Sequence, residues 1–295
     1  MKINIDNNCS IHYIEYGEGK PILFLHGFPE DYRVMVGCVE PIINKTANFR
    51  RIYIDLPGMG QSKAPGAIKS ADDMVEILVS FIKVVIGNQR FLLVGQSYGC
   101  YLALGLLSIM HGSIDGVFFL CPCLIANRGE RNLPTSELLE QDSSLIYSNR
   151  DNPIFSDFLY YAVIANEYTW DRFQTDIYPG LMIANKEFTD YYETLAYSFI
   201  DEKTTTSSMY FVKPVGIITA RQDNCVGFRD MEALLDNFPR STFAIIDGAG
   251  HNMQIERPSI FNCLFLDWLE RIKTEKKSSN SISNNYDSSI IRGSI

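Results

Sequence analysis

The stretch FLLVGQSYGCYLALGLLSIM, residues 91–110, decides the fold. Residues 91–94 are apolar and suit a buried strand, and residues 100–110 are apolar almost throughout and suit a buried helix. Between them, residues 95–99 match the pattern G-x-S-x-G. The order of strand, tight turn and helix predicts that Ser97 lies on a sharp turn, with its hydroxyl held clear of the sheet.

The glycines of this pattern have a steric reason. A side chain at Gly95 or Gly99 would collide with the neighbouring strand and helix in so tight a turn. The helix that begins at Tyr98 directs free backbone N–H groups toward an anion beside Ser97. The stretch therefore predicts a serine nucleophile and half of an oxyanion hole. An ordinary turn that contains a serine by chance is the alternative that the pattern alone leaves open.

Short apolar runs alternate with helical patterns along the chain, which predicts an α/β fold with a mostly parallel sheet covered on both faces. We expect its core strands at residues 22–25, 51–54, 91–94, 117–120, 215–219 and 243–246. Helices are predicted at residues 32–47, 71–86, 98–110, 228–237 and 259–272. Ahead of the core, residues 2–5 and 11–16 predict an antiparallel hairpin around Asn7 and Asn8.

The alternation stops between residues 127 and 208, where no strand-like run occurs and the sequence predicts several short helices rich in tyrosine and phenylalanine. We therefore predict one core domain, residues 1–126 and 209–273, interrupted by a helical segment, residues 127–208, called the insertion below. Residues 274–295 are rich in serine and asparagine, and we predict that they form a disordered tail.

Composition limits the class of partner. The chain has 295 residues, of which 46% are hydrophobic and 21% charged, which is typical of a globular protein. Its net charge of −9 and its lack of clustered Lys and Arg predict no nucleic-acid partner and favour a small-molecule substrate. The start has no apolar leader and no run reaches the ~20 apolar residues of a membrane span, so we predict a cytoplasmic protein without a membrane segment. Oligomeric state is left open.

The seven cysteines are scattered and several lie in apolar runs, which predicts free buried thiols. The closest pair, Cys121 and Cys123, lacks the second pair or the nearby histidines of a zinc site. We therefore predict neither a metal nor a cofactor.

Two loops after predicted strands carry further motifs. His26-Gly27-Phe28-Pro29 follows the first core strand, and DLPGMGQS, residues 55–62, follows the second. Together with the serine turn, these motifs resemble those of the α/β-hydrolase family, in the family's chain order. The resemblance extends over about residues 3–273. It implies that the backbone N–H of Phe28 is the second oxyanion donor beside that of Tyr98, and that the insertion is a cap over the active site.

The same resemblance implies a catalytic triad of Ser97, Asp223 and His251. His251 lies in a glycine-containing loop after the last predicted strand, where the family has its catalytic histidine. Asp223 follows the preceding strand, where the family has its acid, although Ala220 replaces the usual glycine of that turn. Asp247 is closer to His251 in sequence, but it ends its own strand and is poorly placed to reach the imidazole.

Other histidines and acids have a structural interpretation. His26 and Asp55 open the two motif loops, and we expect them to brace those loops rather than to take part in catalysis. His12 in the predicted hairpin and His111 at a helix end have no route to Ser97.

These residues predict acyl transfer. Ser97 would attack a carbonyl carbon while His251 accepts its proton and Asp223 orients the imidazole. Epoxide hydrolases and haloalkane dehalogenases of the same family use an aspartate at the turn, so Ser97 argues against both. The resemblance thus implies a serine hydrolase of a small-molecule ester or related acyl bond, with a C–C bond hydrolase or an aminopeptidase as alternatives. A small-molecule receptor or a catalytically silent scaffold on the same fold stays open.

Overall fold

The computed structural model describes residues 1–5, 9–43, 48–64, 66 and 68–287, with side chains described through residue 275. The strands in these residues are β1 Lys2–Asn4, β2 Ser10–Tyr16, β3 Lys20–Leu25, β4 Phe49–Ile54, β5 Phe91–Gln96, β6 Ile114–Leu120, β7 Glu140–Gln141, β8 Ile164–Ala165, β9 Val215–Ala220 and β10 Ser241–Ile246. The α-helices are α1 Arg33–Ile43, α2 Ala71–Val85, α3 Tyr98–Met110, α4 Ser143–Asn149, α5 Pro153–Tyr161, α6 Glu167–Arg172, α7 Tyr178–Ile183, α8 Lys186–Leu195, α9 Glu202–Ser207, α10 Arg229–Glu232, α11 Met253–Glu256 and α12 Pro258–Asp287.

Eight of the described strands form one sheet, in the order β1-β2-β4-β3-β5-β6-β9-β10. β2 pairs antiparallel with β1 and with β4, and the remaining neighbours pair parallel. The predicted mostly parallel sheet and the N-terminal hairpin are confirmed, while Asn7 and Asn8 lie outside the described residues. β5 lies in the interior of the sheet, so the turn that follows it is enclosed by neighbouring strands on both sides.

Helices cover both faces of the sheet. Because side chains alternate along a strand, Tyr53 and Ile54 of β4 point to opposite faces. Tyr53 donates a hydrogen bond to Glu40 of α1. Tyr13, which pairs with Ile54 across the β2–β4 ladder, packs edge-on against Phe81 of α2. Helices α1 and α2 therefore lie on opposite faces, as predicted for a sheet of this kind.

An aromatic cluster anchors α12 to the sheet. Phe118 of β6 contacts the rings of Phe261, Phe265 and Trp268, and all four side chains are buried. The indole N–H of Trp268 also donates to the backbone oxygen of Pro214, just before β9. The first half of α12 thus closes one face of the core.

The second half of α12 differs from the prediction. The sequence predicts that the helix ends at residue 272 and that a tail begins at Thr274, whereas the helix continues to Asp287. The continuation contains no glycine or proline, and a helix that packing has already nucleated extends at only the small cost of propagation. Residues 288–295 of the predicted tail lie outside the described residues. Of the helices that the structure describes, none combines the length and apolar character needed to cross a membrane.

The insertion follows β6 and precedes β9. It contains α4 to α9, which agrees with the predicted run of short helices, and also the two-residue strands β7 and β8, which the sequence does not predict. Strands this short leave no periodic pattern. The helix predicted at residues 228–237 is likewise replaced by α10 and a 3₁₀ turn at Leu235–Asn237.

The turn between β5 and α3 is sterically closed. A Cβ atom on Gly95 would lie 2.7 Å from the backbone nitrogen of Cys100. One on Gly99 would lie 2.7 Å from the carbonyl oxygen of His26 and closer still to that of Leu25 in β3. Both obstacles are backbone atoms of packed elements, so they cannot rotate aside. Only glycine allows this approach of α3 to β3.

Replacing Gly99 with alanine is therefore expected to lower the free energy of unfolding by about 1–3 kcal/mol, the usual cost of overpacking a core. Gly112→Ala is the matched control, because a Cβ there meets nothing within 4 Å. Urea unfolding followed by circular dichroism measures both variants. Equal stabilities would contradict the steric account.

Candidate active site

Ser97 occupies the turn between β5 and α3 in a strained conformation, with φ 53° and ψ −119°. Its N–H donates to the backbone oxygen of Leu120 at 2.9 Å. Its carbonyl accepts from the N–H groups of Cys100 at 2.9 Å and Cys123 at 3.1 Å. These backbone bonds hold the turn against β6, and they fix the Ser97 hydroxyl at the carboxyl edge of the sheet.

A hydrogen-bonded chain leads from Ser97 to Asp223. The Oγ of Ser97 lies 2.8 Å from Nε2 of His251, and Nδ1 of His251 lies 2.9 Å from Oδ2 of Asp223. The three side chains are buried, with Asp223 fully so. They come from loops after β5, β9 and β10, which meet because parallel strands end at the same edge of a sheet. The structure thus brings together the three residues that the sequence predicts for the triad.

The acid is held by its own loop. Oδ1 of Asp223 accepts from the N–H groups of Cys225 at 2.8 Å and Val226 at 3.0 Å, which leaves Oδ2 for His251. The guanidinium of Arg131 donates to the carbonyl of Cys225 at 3.0 Å and so ties this loop to the start of the insertion. Ala220, in place of the family's glycine, leaves the carboxylate in reach of the imidazole.

The surroundings of His251 raise the pKa of its ring. Burial works against the charged ring, but the negative charge of Asp223 and its hydrogen bond to the ring outweigh burial and raise the pKa of His251 well above 6.5. Asp223 therefore stabilises the protonated form of the His251 ring.

Asp247 is not part of the hydrogen-bonded series of Ser97, His251 and Asp223. Its side chain is exposed and accepts a hydrogen bond from Nε2 of Gln222 at 2.9 Å, which lowers the pKa of Asp247. The structure thus places the two aspartates as the sequence predicts, one beneath the imidazole and one outside.

His26 and Asp55 brace the two motif loops. Nε2 of His26 accepts the N–H of Leu56 at 2.9 Å, so its other nitrogen donates to the carbonyl of Gly27 at 2.7 Å. Burial lowers the pKa of His26, which favours this neutral form. Asp55 accepts the N–H groups of Tyr32 and Gln61 and bonds His12 at 2.8 Å. Both residues therefore have the bracing contacts expected of them.

Two backbone donors lie beside Ser97. Within the described residues, the N–H groups of Phe28 and Tyr98 donate to no protein acceptor. Tyr98 is the first residue of α3, and the Phe28 loop runs close by, since a Cβ on Gly27 would lie 3.0 Å from Cβ of Ser97. This arrangement suits an oxyanion hole, and that role stays a prediction for both groups.

A cysteine that sequence reasoning did not assign to the site lies next to the acid. Possible ligand atoms of Cys121, Asp223 and His251 all lie within 4.8 Å of one another. Burial, and to a smaller extent the charge of Asp223, raises the pKa of Cys121, which keeps it a protonated thiol and a poor metal ligand. These donors therefore suit the hydrogen-bonded chain better than a metal, and the absence of a metal stays a prediction.

Aromatic side chains of the insertion pack on the turn. The hydroxyl of Tyr98 bonds that of Tyr192 at 2.6 Å and donates to the carbonyl of Tyr197 at 2.9 Å. The ring of Tyr197 also lies edge-on to Phe28, with 5.3 Å between ring centroids. The sequence indicates a tyrosine-rich insertion but not which tyrosines reach the site.

Known proteins resemble most of the chain. The family model described as alpha/beta hydrolase fold matches residues 20–258. The solved structure of an alpha/beta superfamily hydrolase from Oenococcus oeni PSU-1 has a TM-score of 0.83 and 31% sequence identity, and covers 92% of this chain and 99% of that one. A monoacylglycerol lipase of Xenopus laevis is 23% identical over 93% of this chain and 84% of its own length. An esterase from Thermogutta terrifontis, 19% identical with a TM-score of 0.66 over 90% of this chain and 94% of its own, shares the fold.

The ring of His251 is expected to titrate above pH 6.5 in the wild type and at lower pH in Asp223→Asn. The substitution removes the negative charge that stabilises the imidazolium, while burial still favours the neutral ring. The imidazole proton shifts, followed by NMR against pH, measure this directly. Asp247→Asn is the control and should leave the titration unchanged; an unshifted titration in Asp223→Asn would contradict the assignment.

Proposed function

This chain belongs to the alpha/beta hydrolase fold family, and from that premise we propose that it is a serine hydrolase that cleaves a small-molecule ester or related acyl bond. The observation that carries the proposal is the hydrogen-bonded chain of Ser97, His251 and Asp223, with contacts of 2.8 and 2.9 Å. A serine hydroxyl is a weak nucleophile unless a base accepts its proton, and the contact between Ser97 and His251 supports that role for the imidazole.

The proposed reaction uses these contacts in two stages. Oγ of Ser97 attacks the carbonyl carbon as Nε2 of His251 takes its proton, and Asp223 stabilises the resulting imidazolium. The imidazolium then protonates the leaving alcohol, and the acyl group stays on Ser97. A water molecule, deprotonated by His251, attacks the acyl-enzyme, which releases the acid and restores the hydroxyl.

The tetrahedral intermediate needs donors for its oxygen. The N–H groups of Phe28 and Tyr98 are the proposed pair, and the N-terminus of α3 adds the positive end of its dipole. A single oxyanion-hole donor contributes about 3–4 kcal/mol to transition-state stabilisation in enzymes of this kind. Because the donors are backbone groups, substitution of Phe28 or Tyr98 would remove packing but leave the N–H in place.

The substrate is proposed to be an uncharged carboxylic ester. Phe28 and Tyr197 are only partly buried and lie against the serine turn, which gives the site an aromatic border. We propose that the insertion acts as the cap and selects the acyl or alcohol group. Relatives named as monoacylglycerol lipases and esterases make acylglycerols and other carboxylic esters the classes to assay. A cytoplasmic location stays a prediction.

Ser97 is expected to be the residue labelled by a fluorophosphonate probe, and the protein is expected to hydrolyse p-nitrophenyl esters, assayed over increasing chain length. Probe labelling and ester hydrolysis should both be lost in Ser97→Ala, and circular dichroism checks that this variant is folded. Monoacylglycerols, aminoacyl anilides and a ring-cleavage diketone in the same panel separate ester hydrolysis from the alternatives. Labelling that persists in Ser97→Ala would refute the nucleophile, and ligand binding without any turnover would favour a receptor.

Asp223→Asn is expected to reduce kcat by about 10⁴-fold, because the imidazole loses its orienting carboxylate and adopts the wrong tautomer. Asp247→Asn changes an exposed carboxylate that bonds Gln222 and not His251. It is expected to lower kcat by less than about tenfold, as for other surface substitutions remote from the site. Steady-state kinetics on the best ester of the panel measure both. The reverse ranking in two folded variants would show that the acid is misassigned.

A further inference from the structure

Glu256 is a buried carboxylate that the proposed mechanism does not use. It ends α11, follows His251 closely in sequence and is 8% exposed. Its Oε2 accepts the N–H of Gly250 at 2.6 Å, and its Oε1 accepts those of Val163 at 2.6 Å and Ile164 at 3.1 Å. Both carboxylate oxygens are thus occupied by backbone donors.

These donors belong to two different parts of the molecule. Gly250 directly precedes His251, whereas Val163 and Ile164 belong to the insertion, where β8 begins. The two segments also touch, since a Cβ on Gly250 would lie 2.8 Å from Cγ2 of Val163. One buried carboxylate therefore bridges the histidine loop and the insertion.

The neighbouring segment of the insertion reaches the acid loop as well. Asn224, which follows Asp223, donates from Nδ2 to the carbonyl of Tyr160 at 3.1 Å. Residues 160–164 of the insertion are thus in contact with the loops of both the base and the acid.

We propose that Glu256 is a positioning residue, which holds the His251 loop in register with Ser97 through its simultaneous bonds to Gly250 and to residues 163–164 of the insertion. The inference rests on the proposed function. The insertion then does more than enclose the substrate: its seating on the core completes the geometry of the base. A small movement of Gly250 displaces the adjacent imidazole, and a misplacement of about 1 Å costs on the order of a hundredfold in rate.

Loss of the bonds from Glu256 to either the histidine loop or the insertion is energetically unfavourable. A carboxylate that loses its partners while still buried is left uncompensated, so the arrangement favours full occupancy of both oxygens. Burial raises the pKa of Glu256, while its three N–H donors act in the opposite direction and favour the ionised form. The bonds to the two segments therefore support one another.

A second carboxylate offers a matched comparison. Glu202 of α9 accepts the N–H of Ala126 at 2.7 Å and the hydroxyl of Tyr101 at 2.6 Å, and so fastens the insertion to α3. None of these partners belongs to the loops of Asp223 or His251. Glu202 thus shares the fastening role of Glu256 but lacks a bond to the histidine loop.

The test compares Glu256→Gln with Glu202→Gln. Glutamine has one acceptor oxygen, so at position 256 it can serve Gly250 or the insertion but not both. We expect Glu256→Gln to lower kcat and the rate of fluorophosphonate labelling at Ser97 by about ten- to a hundredfold, with little change in KM, because the base is misplaced. Glu202→Gln should lose a similar amount of thermal stability yet keep both rates near the wild-type values.

A spectroscopic readout accompanies the kinetics. The proton in the hydrogen bond between His251 and Asp223 is expected to give a far-downfield NMR resonance in the wild type, which should broaden or vanish in Glu256→Gln and persist in Glu202→Gln. If Glu256→Gln does not fold, Glu256→Asp takes its place, because it keeps the charge but withdraws the carboxylate by one methylene. Its kcat, labelling rate and NMR resonance are compared with the wild type, and the same losses are expected.

The outcomes separate this inference from the proposed function. Wild-type labelling and ester turnover test the function, and their absence would overturn both ideas. With an active wild type, wild-type rates in Glu256→Gln would overturn the positioning role alone. Equal rate losses in the glutamine variants at positions 256 and 202 would overturn it too, because both would then act only by loosening the insertion.

Discussion

The rest of the site depends on the close approach of α3 to β3 at the serine turn. Gly99 has backbone carbonyls where a side chain would stand, and Ser97 adopts φ 53° so that the chain can reverse direction within a few residues. This conformation is unfavourable in isolation and persists because the packed sheet and helix determine it. It places Ser97 directly before the first N–H of α3, and the proposed acyl transfer depends on that combination.

The sheet supplies the second constraint. Its parallel strands deliver the loops after β5, β9 and β10 to one edge, where Ser97, Asp223 and His251 meet although they lie far apart in the sequence. Burial of these groups strengthens the charge interaction between acid and imidazole, and each loop has its own brace. Backbone N–H groups hold Asp223, and the carbonyl of Leu120 holds the turn at Ser97.

Polar bridges join the insertion to this framework. The hydroxyl of Tyr98 bonds Tyr192, the guanidinium of Arg131 binds the acid loop, and the carboxylates of Glu202 and Glu256 accept N–H groups across the boundary. Because each buried polar group needs its partner, these contacts define one seating of the insertion more sharply than apolar packing would. In the roles proposed above, the insertion both selects the substrate and helps to position His251.

The sequence by itself predicted the strands of the parallel sheet and the serine turn. The family resemblance of its motifs pointed to Asp223 and His251, which the structure connects to Ser97 by hydrogen bonds. These features can be recognised locally. Apolar runs mark strands, glycines mark the tight turn, and the loops that follow parallel strands all lie at the carboxyl edge of the sheet. The two bracing residues, His26 and Asp55, were also predictable, because each opens a motif loop.

Only the tertiary structure decided the positions of Cys121 beside the acid, Tyr192 above the turn and Glu256 between two segments. It also decided the short pair of β7 and β8 and the extension of α12 to Asp287. Such contacts join residues far apart in the chain and leave no periodic pattern, and a helix end without glycine or proline carries no stop signal. A buried glutamate reads in the sequence like any surface glutamate until its three backbone donors are brought around it by folding.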